Sequence, residues 1–349
     1  MSETASPVAQ EPISLRKRFF SPQTAISLVA VVGLVALLVT GVDIDWAQTW
    51  ETVRGMDPAW YAAAIAIHYC TFVFRGARWR VLLVNAARND PTPPPAPPVF
   101  YVARVILMSW FANSITWFRL GDPYRAWVYA EDTKTSFPRS MGTVLADRLI
   151  DLAVVVVLMS AGILLLLADG RVRPPLVLLL LAGGLLAAVM AGLTTMVLAR
   201  RWLVPRLPRR LSTMYARFHD GTMGSFARMP LVFGLGVLGW LCEAGRLYFV
   251  TMAIGVPVAA GLVLFVPMAN GLLAAIPLTP GGLGVVETGV SGLLRLQLTV
   301  EVALAVALVD RTISYLSIIV TGGIAFAARQ VNAARRAAHV PETPAEDGA

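Results

Sequence analysis

Charge set inside apolar sequence, twice and at one spacing, limits what this chain can become. Leu120-Gly121-Asp122 is followed, 26 residues after its glycine, by Asp147-Arg148. Leu283-Gly284-Val285-Val286-Glu287 is followed, 26 residues after its glycine, by Asp310-Arg311. The two copies lie 163 residues apart, and Leu145 with Leu308 and Ile150 with Ile313 keep the same offset. The sequence around them is 57% hydrophobic and 14% charged overall, against ~25% charged in a soluble domain. Long apolar runs, rather than short alternating ones, predict an all-α polytopic membrane protein. An ionisable group held in hydrocarbon is expensive and marks function, and a duplicated set of them points to a transporter made of two halves.

The net charge of +8 is mostly arginine at the ends of apolar segments, so it reports orientation rather than a nucleic-acid partner. The same arginines add a pull on anionic lipid headgroups. Cys70 and Cys242 form no CxxC pair, and His68, His219 and His339 are scattered, so no metal site, cofactor or disulfide framework is indicated. No nucleotide-binding GxxxxGK[ST] is present.

Residues 1–22 read as a disordered cytoplasmic segment carrying Arg16-Lys17-Arg18, and 23–330 as one transmembrane domain. Spans are predicted at 24–42, 58–74, 143–168, 174–199, 231–254 and 301–328, each long enough for a ~30 Å core. The segments 99–118 and 260–278 are apolar too. The stretch Arg75–Arg88 and the seven arginines of 200–230, the latter on amphipathic surface helices, both belong on the cytoplasmic side by charge bias. Only two crossings fit between them, so 99–118 enters from the cytoplasm and turns back. The same count makes 260–278 turn back from the opposite face at Pro277–Gly284. Six full spans and two re-entrant hairpins follow, in inverted halves of roughly 58–170 and 231–328, with both termini cytoplasmic and 331–349 a disordered tail.

Asn113, Arg119, Gly121, Asp122 and Arg125 form the first constellation; a helix would put Arg119, Asp122 and Arg125 on one face, and a solvated cytoplasmic loop with ordinary ion pairs is the other reading. Asp147, Arg148 and Asp151 open a span, and Asp310-Arg311 sit about nine residues into theirs, near mid-membrane. Pro280, Gly281, Gly282, Gly284 and Glu287 form the second turn, where a helix starting near Leu283 would offer free N–H groups to an anion such as lipid phosphate. Glu243 and Arg246, three apart, can pair, and Arg78 is a weak counterpart of Arg246. Gly234, Gly236 and Gly239 read as helix packing, and Trp60, Tyr61 and Trp127 as an interfacial belt.

Arg119-Leu120-Gly121-Asp122-Pro123-Tyr124-Arg125, Asp147-Arg148-Leu149-Ile150-Asp151, and Pro280-Gly281-Gly282-Leu283-Gly284-Val285-Val286-Glu287 with Arg311 together resemble the transmembrane region of lysylphosphatidylglycerol synthases and their stand-alone flippase-like relatives. The resemblance covers roughly residues 20–330. It differs at Asp122 and Asp147, where glutamate is usual, and at Trp117, where proline is common. It implies a protein of the plasma (inner) membrane that moves or binds polar-headed lipids (a phospholipid, an aminoacylated lipid or a polyprenyl-linked lipid), without the aminoacyltransferase domain some members carry. Arginines would meet phosphate; carboxylates would balance them, bind a cationic headgroup or carry protons. No catalytic set is expected. Two other readings stay open on sequence alone: a non-transporting lipid-binding partner of a lipid-modifying enzyme, and an intramembrane transferase. A homo-oligomer is compatible with all three.

Overall fold

The computed structural model describes residues 45–170 and 208–338, apart from 89, 91, 117–118 and 274–278, together with isolated helical positions between 183 and 195. The spans expected at 24–42 and, but for those positions, at 174–199 lie outside the described residues, as do 1–22 and 339–349. The described residues are all-α, without strands. In chain order the helices are α1 (Trp46–Arg54), α2 (Pro58–Ala86), α3 (Val99–Ile115), α4 (Gly121–Thr133), α5 (Phe137–Asp169), α6 (Arg209–Ser225), α7 (Met229–Ile254), α8 (Ala260–Leu273), α9 (Val285–Leu294), α10 (Val300–Arg311) and α11 (Ser317–Ala338). A 3-10 turn at Pro280–Gly282 precedes α9, and a π-turn at Thr312–Leu316 joins α10 to α11. Three stretches among them are long and apolar enough to cross a membrane: Phe137–Asp169, Met229–Ile254 and Val300–Ala333.

Local sequence sets the helix ends. Asp57 caps α2 by accepting a hydrogen bond from the Ala59 N–H at 2.8 Å, with Pro58 in the first turn, where its missing N–H is no loss. Proline also opens α5 and α7, and both close on left-handed glycines, Gly170 and Gly255. α11 runs on to Ala338, past the boundary expected at 330.

α2 departs from expectation. It does not stop at 74 but continues to Ala86, carrying Arg75 and Arg78 within it at 6% and 1% exposure. These two arginines are therefore not part of a solvated cytoplasmic stretch. Carboxylates on α5 neutralise them, so the helix need not end where the charge begins.

α2 and α7 pack along their whole length and run antiparallel. The Asp57 N–H donates to the Ala253 carbonyl, Trp60 stacks on Phe249, and Ile67 faces Gly245. Further along, Thr71 Oγ1 donates to the Gly239 carbonyl at 2.8 Å, Arg78 lies against Gly236, and Asn85 Nδ2 donates to the Ala227 carbonyl. Gly236 and Gly239 thus leave room for arginine stems on α2, as small residues do at close helix contacts.

The other contacts come in matching pairs. α3 packs on α2 and α4 as α8 packs on α7 and α9; α4 meets α5 as α9 meets α10; α5 packs on α8 as α11 packs on α3. α6 lies on α5 and α1 on α10. Both exchanged contacts are antiparallel: Gly162 and Leu166 of α5 meet Phe265 and Gly261 of α8, while Phe111 and Ser114 of α3 meet Gly322 and Tyr315. The same set of neighbour contacts therefore recurs in α1–α5 and in α6–α11. Trp60 and Trp127 are about two-fifths exposed, whereas the Tyr61 hydroxyl is tied to Thr312 Oγ1 at 2.8 Å.

Candidate functional site

In the first half, the turn after α3 brings the chain back on itself. Arg119 takes a left-handed φ of 53°, and Gly121 then sits so close to α3 that a Cβ there would lie 1.9 Å from the Ser109 carbonyl oxygen. Only glycine allows that approach. Asn113 Oδ1 accepts from the Gly121 N–H at 2.8 Å, and Ser109 Oγ donates to the Gly121 carbonyl at 2.7 Å. Arg119 thus precedes α4 rather than sharing a helical face with Asp122 and Arg125, because the reversal uses its backbone. Both arginines still approach Asp122 within 3.7 Å.

The Asp147-Arg148 pair divides its work. Asp147, 3% exposed, accepts from Arg78 Nε at 2.8 Å on one oxygen and from Arg125 Nη2 at 2.9 Å on the other. Arg148 reaches the other way, its Nε donating to Asp122 at 3.0 Å. One turn on, Asp151 accepts from Arg75 Nη1 at 3.1 Å, Arg78 Nη1 at 2.8 Å and Trp240 Nε1 at 3.0 Å. The Arg75 guanidinium lies between the rings of Trp110 and Trp240, 5.3 and 4.8 Å from their centroids, and Arg125 covers Trp79.

The second half repeats this division. Asp310, 2% exposed, accepts from Arg246 Nε at 2.7 Å and Nη2 at 3.2 Å. Arg311 turns to Glu287, donating through Nε at 2.7 Å, and through Nη2 to the Gly281 carbonyl at 2.9 Å. Left-handed backbone at Gly281, Gly282 and Gly284 shapes that turn, which Pro280 opens. α9 starts at Val285, and its first N–H groups are less open to an anion than the sequence suggests. Glu287 Oε2 reaches back to the Gly284 N–H at 2.6 Å, so the carboxylate that pairs with Arg311 also caps the helix. Arg246 further contacts Glu243 and the His68 ring.

The tips of the two turns meet. Tyr315 Oη donates to the Ser114 carbonyl, Gly281 lies against both residues, and the Arg311 guanidinium stacks over the Tyr315 ring at 4.7 Å. Beneath them opens a cavity of about 490 Å³. Of the residues singled out by sequence, Asn113, Arg119, Asp122, Arg148, Asp151, Glu243, Arg246, Gly281 and Arg311 line it. Arg78, Arg125, Asp147, Glu287 and Asp310 stand behind the lining, each paired with a charge; Gly121, Pro280, Gly282 and Gly284 build the turns. The lining carries five arginines against three carboxylates, an excess that suits an anion. Sequence reading missed Arg75, Trp110, Trp240, Asn270 and Tyr315, which also line it, and His68 behind Glu243. The signal available was Arg75–Arg78 three apart, like Glu243–Arg246.

A sequence model of the lysylphosphatidylglycerol synthase TM region matches residues 24–322. A UPF0104 membrane protein of Methanocaldococcus jannaschii is 29% identical over 224 residues, which cover 62% of this chain and 93% of that protein. The turn glycines, the two Asp-Arg pairs and their partners all fall inside the matched region. This membrane protein therefore belongs to the lysylphosphatidylglycerol synthase TM-region family.

Proposed function

We propose that the protein is a lipid translocase of the plasma (inner) membrane, with a polar, phosphate-bearing headgroup held in the charged cavity while the hydrocarbon tails stay in the bilayer. The observation that carries this reading is a lined volume of about 490 Å³ to which both halves contribute arginines. Arg119 and Arg148 come from one turn and span, and Arg246 and Arg311 from the other. Guanidinium forks match phosphate oxygens. Trp110 and Tyr315 supply flat apolar walls for the glycerol region.

The same geometry supports a topology of two re-entrant hairpins between inverted halves. α3 and α8, 17 and 14 residues long, are short for a full crossing, and each is followed by a helix packed back against it. Read as re-entrant hairpins from opposite faces, they meet at Ser114 and Gly281, where irregular backbone is surrounded by protein. Inverted halves then rock about the cavity to open it to either side. The arginines of α6 and of the N-terminal segment favour a cytoplasmic side for both termini in this reading.

Reconstitution tests this. Proteoliposomes with tail-labelled fluorescent phosphatidylglycerol, bleached by an impermeant reductant, report movement between leaflets. Wild type should accelerate it. Arg148→Gln and Arg311→Gln should each slow it by about tenfold or more, the equivalent of one charge-assisted hydrogen bond. Binding of the lipid with no movement by wild type would reduce the protein to a lipid-binding partner.

A further inference from the structure

We propose that His68 and Glu243 form a proton-binding site that fills when an anionic headgroup enters the cavity, so that lipid and proton are carried together. This rests on the headgroup reading above and deepens it by naming the coupled ion.

His68 is fully buried on α2, behind the cavity-lining Glu243 and Arg246 of α7. Arg246 Nη1 lies 3.1 Å from His68 Nδ1 and also touches Glu243. An arginine only donates hydrogen bonds, so Nδ1 accepts here and the ring proton is on Nε2. The imidazole is thus neutral in this state, and a proton at Nδ1 is incompatible with Arg246 in its present place. Glu243 Oε1 stands 3.6 Å from the same Nδ1. Among the described residues neither that oxygen nor His68 Nε2 has a hydrogen-bond partner. The pair is arranged as an imidazole and a carboxylate held just out of contact by a guanidinium.

The other charged groups around the ring are Asp310 of α10 and Arg75 of its own helix. Asp310 is engaged by Arg246 Nε and Nη2, and Arg75 by Asp151. The rings of Tyr69, Phe72 and Trp110 complete the surround and keep water from substituting for either charge.

Arg246 lines the cavity, and Nη1 is the edge of its guanidinium not held by Asp310. A headgroup phosphate oxygen arriving there competes for that edge. When Nη1 turns to the anion, His68 Nδ1 loses its donor and Glu243 loses its cation. A proton passed from bulk solvent along the water that enters with the headgroup then binds Nδ1, and the Nδ1–H donates to Glu243 Oε1. One negative charge and one positive charge have entered together, and the buried carboxylate is paired again. Among the described residues the site has no second copy. At the offset that relates Arg78 to Arg246, His68 corresponds to Gly236 and Glu243 to Arg75.

Calorimetry on the full chain in detergent, titrated with short-chain phosphatidylglycerol in two buffers of different ionisation enthalpy, measures protons taken up per lipid. Wild type should take up about one, and affinity should weaken about tenfold per pH unit above the site's titration. His68→Gln should bind lipid with no uptake and no such slope; Glu243→Gln should reduce both. Nitrogen-15 histidine NMR of wild type covers a variant that fails to fold. The chain has three histidines, and lipid should convert one from neutral to imidazolium. Lipid binding without proton uptake, or the same uptake in His68→Gln, overturns the proposal and leaves the headgroup reading intact. No lipid binding at all overturns both. Equal uptake on adding inorganic phosphate alone would overturn coupling to a lipid in favour of a soluble anion.

Discussion

Asp147 holds Arg78 and Arg125 at once in a site sealed from solvent, and removing it leaves Arg78 to Asp151 alone and Arg125 with no carboxylate nearer than Asp122 at 3.7 Å. Breaking a buried pair from one side costs about 3–5 kcal/mol, so Asp147→Ala should collapse the thermal transition of the purified protein. Arg148 is different. Its side chain is 29% exposed and faces the cavity, so Arg148→Gln should keep the melting temperature near wild type while lipid movement falls. The two measurements separate the Asp that builds the site from the Arg that serves it. Gly121→Ala makes a third case: its Cβ has nowhere to go against Ser109, and overpacking of this kind costs about 1–3 kcal/mol or more, read as reduced thermal stability. Sequence alone made Asp147-Arg148 and Asp310-Arg311 visible, because charge in apolar runs is rare and here it recurs. It could not assign the two side chains of each pair to opposite neighbours, since that depends on helix rotation. Arg75 and, apart from its match to Arg246, Arg78 look from sequence like an anchor at the water boundary, because an arginine after a mostly apolar run looks the same whether it meets water or a carboxylate.

α3 and the 3-10 turn come from different ends of the chain yet touch at Ser114, Gly281 and Tyr315. If these tips part during transport, disturbing their contact changes its rate. A Cβ at Gly281 would lie 2.3 Å from the Tyr315 ring on backbone with a φ of 60°, so Gly281→Ala should spoil the contact, and lipid movement in proteoliposomes should fall severalfold. The helix break at 280–284 was legible from Pro280 and the glycines of 281–284, which cannot continue a helix. The length of α2 was not, because its interior arginines break the apolar pattern. Nor was the π-turn at Thr312–Leu316, since nothing in Thr-Ile-Ser-Tyr-Leu departs from ordinary helix composition. It follows directly on Asp310-Arg311, where π-turns are often found at functional positions.

Neither half encloses its own surfaces: α5 needs α8, α3 needs α11, and α2 lies against α7 throughout. A chain divided between residues 170 and 208 should therefore be degraded as separate pieces and recovered as a complex when both are expressed together, by affinity pull-down of one through a tag on the other. Labelling tests the opposed entry of the hairpins: cysteines placed at Phe100 and Ala260, exposed at the outer ends of α3 and α8, should react with a small charged reagent from opposite sides of the membrane. The repeat was legible as a 163-residue offset, but its exchange of contacts was not, because pairing between halves leaves no periodic mark. The backbone repeat also carries an unequal load. The first half brings Arg75, Arg78, Arg119, Arg125 and Arg148 against Asp122, Asp147 and Asp151; the second brings Arg246 and Arg311 against Glu243, Glu287 and Asp310. Exchanging the shapes of the two halves therefore does not regenerate the same electrostatic state. In the proposed translocase the empty carrier would have a preferred parking position, and the membrane voltage, acting on that imbalance, would bias the return stroke like the pawl of a ratchet.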